Sequence, residues 1–197
     1  MKIRLIAVAI ALAVAVPVPA AAAARTTVPA SAMLQASDLG GATPTPVTDD
    51  YWDALRPPQP CSATPYPSTA LVRASRAISV MIGVDDRPTV VVEHVAGYRS
   101  DGAHRYLREL RRAVASCSAD AGWTVLATGV AGNESVLLRH RECIDFSGTY
   151  KNTYVLTARV GSALVVLADA GWETGNGHEA LVRQLSAAAV RRAAVAG

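Results

Sequence analysis

The sequence predicts an α+β fold, with an antiparallel sheet that is covered by helices on one face. Two observations predict it. Strand-length apolar segments are joined in pairs by short polar turns, and two of these pairs are each followed by a helical pattern. The stretches around Gly97 and Gly171 are also alike, because in both an apolar run ends in Ala-Gly-aromatic shortly before a helix begins. We therefore predict two pseudo-repeated hairpin-helix units.

The first 24 residues have the pattern of a secretory signal peptide. Lys2 and Arg4 precede an apolar run over residues 5–19, and an Ala-x-Ala cleavage pattern ends at Ala24. The run is shorter than the ~20 residues that a membrane helix needs. We expect residues 1–24 to be removed and the mature protein to be secreted, extracellular and without a membrane span.

Net charge argues against nucleic acid as a partner. The whole chain has 19 Lys+Arg against 16 Asp+Glu. Loss of Lys2 and Arg4 leaves 17 against 16, a formal charge of +1. A nearly neutral protein lacks the basic excess that nucleic-acid binding requires, and we expect no such partner.

Residues 25–67 form a Pro-rich N-terminal segment with eight prolines. Segments of this composition link domains or wrap a core rather than build one. Within it, "SAMLQASDLGG" (31–41) predicts one short helix that ends at Gly40-Gly41. Residues 68–197 have the pattern of a folded α+β domain.

The first predicted unit begins with a strand over 77–84, whose apolar residues alternate with period two. A turn at 85–88 leads into a second strand over 89–95. Ser100 or Asp101 then caps a helix. That helix has a continuous apolar stripe and an arginine-rich opposite face. The stripe consists of Ala103, Tyr106, Leu107, Leu110, Ala113, Val114 and Cys117, and the opposite face of Arg105, Arg108, Glu109, Arg111 and Arg112.

Two further hairpins follow. The first joins 123–130 to 135–143, and the second joins 152–160 to 163–169 through a tight turn at Gly161-Ser162. Asn176 and Glu179 have the spacing of a capping box, which predicts the start of the last helix. That helix is expected to bury Leu181, Val182, Leu185, Ala188 and Ala189.

Cys61, Cys117 and Cys143 are the three cysteines of the chain. An exported protein is expected to form disulfides, and an odd number leaves one thiol over. We predict a Cys61–Cys117 disulfide, because Cys117 lies on the buried stripe and Cys61 ends a segment with little else to hold it. Cys143 would then be a reduced, buried thiol. A Cys117–Cys143 pair is the alternative.

No catalytic or metal-binding pattern stands out, so we expect no catalytic residue, metal or cofactor. The cysteines are 56 and 26 residues apart (117−61 and 143−117), unlike the close spacing of zinc ligands. The G-x-S-x-G elbow of α/β-hydrolases is absent. His140 and Cys143 would point to opposite faces of a strand, and His178 in the first turn of the last helix is expected to be structural.

Several motifs together resemble a known family. They are "MLQASDLGG", the cysteine in "PPQPC", "VAGYRSDGAHRYLRELRRAVASC" and "TARVGSALVVL" before a final amphipathic helix. They resemble secreted actinobacterial proteins related to the extracellular sensor domain of the mycobacterial kinase PknH. Over roughly residues 33–193, this resemblance implies an α+β domain with a cleft for an extracellular ligand and no known enzymatic activity. Family members typically have two disulfides, whereas three cysteines allow only one here.

The expected function is that of a non-enzymatic sensor-like binding domain of the cell envelope. Tyr98 and Trp172 are the predicted ligand-binding residues, because flat amphipathic rings suit a small apolar or glycan-like ligand. Such rings also cap cores, which is the alternative for both. An interaction or inhibitor protein acting on another exported protein is the second functional hypothesis. A small hydrolase is the third.

Overall fold

A computed structural model describes residues 27–47, 52, 55–144 and 148–196 of the chain. The predicted signal peptide lies outside these residues. In the described part, the strands and helices are β1 (Thr45–Pro46), β2 (Val72–Val84), β3 (Arg87–Tyr98), α1 (Gly102–Ser116), β4 (Trp123–Thr128), β5 (Glu134–Cys143), β6 (Tyr150–Val160), β7 (Ala163–Asp169) and α2 (Glu179–Ala193). None of its helices is long and apolar enough to cross a bilayer.

The strands form one antiparallel sheet in the order β1-β2-β3-β7-β6-β5-β4. At its centre β3 pairs with β7, from Val91 opposite Asp169 to Gly97 opposite Ala163. The predicted α+β class and the antiparallel sheet are confirmed. Each of the hairpins β2–β3 and β6–β7 is followed by a helix. Whether the two units are copies of one sequence stays a prediction.

The two helices cover opposite faces of the sheet, which corrects the expectation of one covered face. Leu164 and Val166 of β7 pack in the cluster that contains α1, whereas Val165 and Leu167 pack in the cluster that contains α2. Successive side chains of a strand point to opposite faces. The physical reason is visible in "ALVVLAD", which is apolar at consecutive positions, so both of its faces need cover.

Helix α1 buries the predicted stripe on one face of the sheet. Tyr106, Leu107 and Leu110 are fully buried there, with Val114 beside them. Helix α2 covers the other face through Val182, Leu185 and Ala189. These are burials of the kind that contribute ~1.5–3 kcal/mol per large apolar side chain. The arginine-rich face of α1 is exposed or half-buried, as predicted.

The N-terminal segment packs into the core on the α2 face. Val28, Met33 and Leu34 are buried among residues of α2 and the sheet. The single short helix predicted over 31–41 is wrong: two 3-10 turns, Ala30–Ala32 and Ala36–Asp38, replace it. They are separated because Met33 and Gln35 are extended. This lets Met33 and Leu34 enter the core.

Two local predictions at turns have different outcomes. Asp85 and Asp86 both have positive φ, 49° and 62°, the conformation of a two-residue type I′ hairpin turn, so the turn is tighter than predicted. The capping box of Asn176 and Glu179 does not form. Residue His178 is the N-cap of α2, and Asn176 Oδ1 instead accepts the Asn152 backbone N–H at 2.8 Å.

A disulfide joins Cys61 to Cys117, as predicted. It ties the Pro-rich segment to the C-terminal end of α1, and it is consistent with an exported protein. Cys143 is not in a disulfide, as predicted, but it is exposed rather than buried. The C-terminal end of its strand β5 is not covered by other parts of the described chain, since residues 141–143 are all exposed.

Candidate ligand-binding site

A cleft of about 690 Å³ lies where the N-terminal half of α2, the tip of β2 and the turn after Asp38 meet. We call it the α2 cleft. Its apolar lining comes from all three segments: Leu39 and Ala42, Met81 and Ile82, and Leu181 and Leu185. Met81 is 50% exposed, an unusual degree for a large apolar side chain in this protein. The volume lies within the ~300–1,000 Å³ that small-molecule sites occupy.

Polar groups surround this apolar lining. Asp38, Asp85, His178 and Gln184 all line the α2 cleft. An apolar cavity with a few polar groups that fix orientation is the usual composition of a small-molecule site. Asp85 makes an anionic ligand unfavourable unless its charge lies away from this carboxylate.

Asp38 is held in place by α2. Arg192 Nε donates a hydrogen bond to Asp38 Oδ2, Arg191 Nη2 lies 3.7 Å from Oδ1, and the Gln35 backbone N–H donates to Oδ2 at 3.0 Å. Burial alone would raise the pKa of Asp38, but these arginines and hydrogen bonds lower it. The carboxylate therefore stays ionised at one side of the cleft.

His178 is fixed by a buried carboxylate at the end of β7. Asp169 is fully buried, and its Oδ2 accepts hydrogen bonds from the His178 backbone N–H at 2.8 Å and from His178 Nδ1 at 3.0 Å. Its Oδ1 accepts from the Thr89 hydroxyl and from the Gly171 backbone N–H. With Nδ1–H donated to Asp169, the neutral ring keeps Nε2 as an acceptor.

The Asp169–His178 pair depends on a close approach of the backbone. A Cβ on Gly177 would lie 2.2 Å from the Asp169 carbonyl oxygen, so only glycine fits immediately before His178. The Gly177 backbone N–H also donates to the Asn152 carbonyl at 2.8 Å. The loop before α2 is thus built to deliver His178 to the cleft in one orientation.

The sequence did not reveal this pair. His178 was expected to be structural and Asp169 was not singled out. The available signal was an aspartate that ends an otherwise apolar strand, because a carboxylate that is buried there needs hydrogen-bond donors. The partner nine residues later could be recognised only once the loop geometry was known.

The described residues that line the α2 cleft include no serine, threonine, cysteine, tyrosine or lysine. Beside the Asp169–His178 pair, the Thr89 hydroxyl is engaged in donating to Asp169 Oδ1. The described residues do not place three histidine, cysteine, aspartate or glutamate side chains together as metal ligands. Of the groups in the cleft, those described are suited to hydrogen bonding and apolar contact.

The two predicted ligand-binding aromatics are not brought together. Tyr98 is 2% exposed and packs in the core under α1, whereas Trp172 is 40% exposed. Tyr98 pairs with Ser162 at one end of β3, and Gly171 pairs with Val90 near the other end. Eight residue steps of strand, from 90 to 98, separate these ends by about 27 Å, so the two rings do not line one cleft. Trp172 is at the end of the sheet that forms the α2 cleft.

His140 has an aromatic partner on the neighbouring strand β4. His140 stacks on Trp123 with 4.4 Å between ring centroids. Burial lowers its pKa, and Glu142 opposes that change. Cys143 is at the exposed end of the same strand.

Comparison with protein-family models, with curated proteins and with solved structures finds no match to this chain. The resemblance to PknH-like sensor domains therefore stays a prediction.

Proposed function

We propose that this chain is a non-enzymatic, extracellular ligand-binding domain of the sensor-like kind, and that its ligand occupies the α2 cleft. The observation that carries the proposal is the cleft itself: an apolar-lined cavity of about 690 Å³ in which His178 is fixed by the buried Asp169 and Asp38 is fixed by Arg192. Preorganised polar groups reduce the entropy that binding costs. The Cys61–Cys117 disulfide is consistent with an extracellular setting.

The ligand that suits the cleft is a small envelope molecule with an apolar body and an uncharged polar end, such as a glycolipid fragment. Leu39, Ile82 and Leu181 would contact the apolar part, and a ligand hydroxyl would donate to His178 Nε2. Asp85 disfavours a negatively charged head at the same place, whereas the charge of Asp38 is offset by Arg191 and Arg192.

Octyl glucoside below its micelle-forming concentration and octanoate are suitable probes, because they share an eight-carbon chain and differ in head-group charge. We expect octyl glucoside to raise the Tm of the wild-type protein and octanoate to have a much smaller effect. Leu181→Gln should lose the response. Val190→Gln is the matched control, since both side chains are partly buried on α2 but only Leu181 lines the cleft.

An equal Tm shift in wild type, Leu181→Gln and Val190→Gln would contradict binding in the α2 cleft. The predicted contribution of Trp172 is tested separately with Trp172→Ala, which should weaken octyl glucoside binding if the exposed ring covers the ligand.

An interaction protein is the second candidate, favoured by the loop after Cys61. Residues 61 and 63–65 are exposed, yet the disulfide holds one end and buried Tyr66 the other. Constrained exposed loops bind partner proteins at low entropic cost. Replacing Cys61 and Cys117 by alanine separates the candidates: it would weaken binding of an exported partner and leave octyl glucoside binding in the α2 cleft unchanged.

A further inference from the structure

The face of α1 that points away from the sheet carries a line of arginines. Arg105, Arg108 and Arg112 are all exposed there. Residues that are three and four positions apart are neighbours on one side of a helix, and at 1.5 Å per residue this line is about 10 Å long. We call these three residues the α1 arginine line. The apolar stripe of α1 packs on the sheet on the opposite side of the helix.

The positive charge of the α1 arginine line is only partly compensated. Asp101, one turn before Arg105, pairs with it: Arg105 Nε lies 2.7 Å from Asp101 Oδ1. Arg108 and Arg112 form no hydrogen bond or ion pair with any described residue. Two guanidinium groups of the line are therefore free to pair with a partner, and a guanidinium is charged at any physiological pH.

The carboxylates on the two flanks of α1 are engaged elsewhere. On one flank, Glu109 Oε2 accepts a hydrogen bond from the Ser68 hydroxyl at 2.5 Å. On the other flank, Glu134 of β5 lies 3.3 Å from Arg111 Nη1 and 3.6 Å from Arg159 Nε. One carboxylate between two guanidinium groups leaves this flank positive as well, so the charge of the line is extended rather than cancelled there.

The composition of this surface indicates which anion it suits. None of the large apolar side chains that are exposed in the described chain belongs to α1, whereas a helix that lies on a membrane needs such side chains on the face that enters the bilayer. The fork of donors on a guanidinium matches the geometry of phosphate. Several guanidinium groups in a line fit a chain of phosphates better than a single ion, because each further contact is then intramolecular.

We propose that the α1 arginine line binds a linear polymer that carries repeated phosphate groups, of the kind that a cell envelope presents outside the cell. Arg108 and Arg112 pair with successive phosphates of the polymer, and Arg111 adds positive charge beside them. The α1 face of the sheet is opposite to the face that α2 covers. The proposal therefore does not depend on the function assigned to the α2 cleft.

Fluorescence anisotropy with end-labelled inorganic polyphosphate tests the proposal across a range of chloride concentrations. We expect the Arg108→Gln/Arg112→Gln variant to bind at least tenfold more weakly than the wild type at low salt. The slope of log K against log salt should also become smaller by about 2, roughly one for each lost phosphate contact. Arg87→Gln/Arg183→Gln is the matched control, because it removes two exposed arginines from the β2–β3 hairpin and from α2; it should bind like the wild type.

Two competitors separate a polymer from other sources of phosphate. Orthophosphate at the same total phosphate concentration should displace little of the labelled polyphosphate, and so should vesicles that contain phosphatidylglycerol. Circular dichroism establishes that both double variants are folded. Equal affinity in the two double variants, no binding of polyphosphate by the wild type, or full displacement by orthophosphate or by the vesicles would each overturn the proposal.

Discussion

Glu93 and His94 are neighbours in the central strand β3 and are buried on opposite faces of the sheet. Glu93 is on the α2 face, where its Oε2 accepts the Leu34 backbone N–H at 2.7 Å, and its Oε1 has no partner among the described residues. Burial raises the pKa of Glu93 to about 8, with nearby Asp38 adding to the effect. Burial lowers the pKa of His94, because the protonated form of this base is the charged one. Both side chains are thus neutral near pH 7, which is how an interior tolerates them.

The raised pKa of Glu93 predicts that stability falls as the pH rises. Between its unfolded pKa, near 4.5, and its folded pKa, about 8, the folded state holds a proton that the unfolded state has lost. Stability therefore decreases with pH across this window. The lowered pKa of His94 acts oppositely, but only between about 4 and 6.5. From pH 6.5 to 8 we expect urea denaturation to give a loss of about 1–2 kcal/mol.

Glu93→Gln should remove most of this loss, because glutamine can accept the same Leu34 hydrogen bond without titrating. Glu142→Gln, at an exposed position of β5, is the control and should retain the wild-type decrease. If Glu93→Gln and wild type lost stability in parallel between pH 6.5 and 8, another group would be responsible.

At the scale of elements, each helix is held by a stripe of apolar side chains on its own face of the sheet. Leu110 of α1 and Leu185 of α2 occupy corresponding central positions and are both buried. We expect alanine at either position to cost ~2–5 kcal/mol, the range for large-to-small changes in cores. Arg108→Ala should cost little, since Arg108 is exposed. Chemical denaturation gives all three values. Comparable losses at Arg108 and Leu110 would mean that the face of α1 is misassigned.

The Cys61–Cys117 disulfide also stabilises the arrangement of the elements. It closes a loop of 56 residues, for which chain entropy gives a stabilisation of roughly 4 kcal/mol. The segment that it ties down also contacts α1 directly, because Tyr66 packs on the ring of Tyr106 and the Tyr106 hydroxyl donates to the Pro58 carbonyl. In urea denaturation the Cys61→Ala/Cys117→Ala variant should have a free energy of unfolding that is lower by that amount, and Cys143→Ser should match the wild type. A negligible difference would indicate that these aromatic contacts alone hold the segment.

Sequence patterns were sufficient wherever one element's own side chains decide its structure. The alternation in β2 and the apolar stripe of α1 predicted those two elements to within a few residues. The hairpin turn at Gly161 was predicted equally well. Sequence patterns were insufficient where contacts with another segment determine the structure. Strand β1 is two residues long and exists only because β2 accepts it, and no pattern announces such a strand.

The same limit explains what was missed about the sites. A helix pattern identifies its apolar face but not the side of the sheet that it covers, so α1 and α2 were expected on one face. The α2 cleft joins Leu39, Ile82 and Leu181, which are more than 40 residues apart from one to the next. Tyr98 and Trp172 looked equivalent by local sequence, yet only the tertiary pairing of β3 and β7 places them at opposite ends.

At the scale of the whole molecule, segments from the two ends of the described chain pack against each other. Residues of the N-terminal segment, Met33 and Leu34, share a core with Val182 and Leu185 of the last helix. The Asp38–Arg192 ion pair links the same two regions. The site that we propose for a ligand in the α2 cleft is built from this junction, so binding there would stabilise the contact between both ends of the described chain.

The β3–β7 pairing has a consequence for how such a protein is made. Its paired residues are separated by 66 to 78 positions, from Gly97–Ala163 to Val91–Asp169, and they join the two halves of the sheet. Contacts so distant in sequence form late and slowly. The first half cannot complete its sheet or cover its α2 face until the last strand and helix have been synthesised. A nascent chain that postpones folding in this way stays unfolded for longer, and an unfolded chain is what a translocation channel would need for the export that we predict.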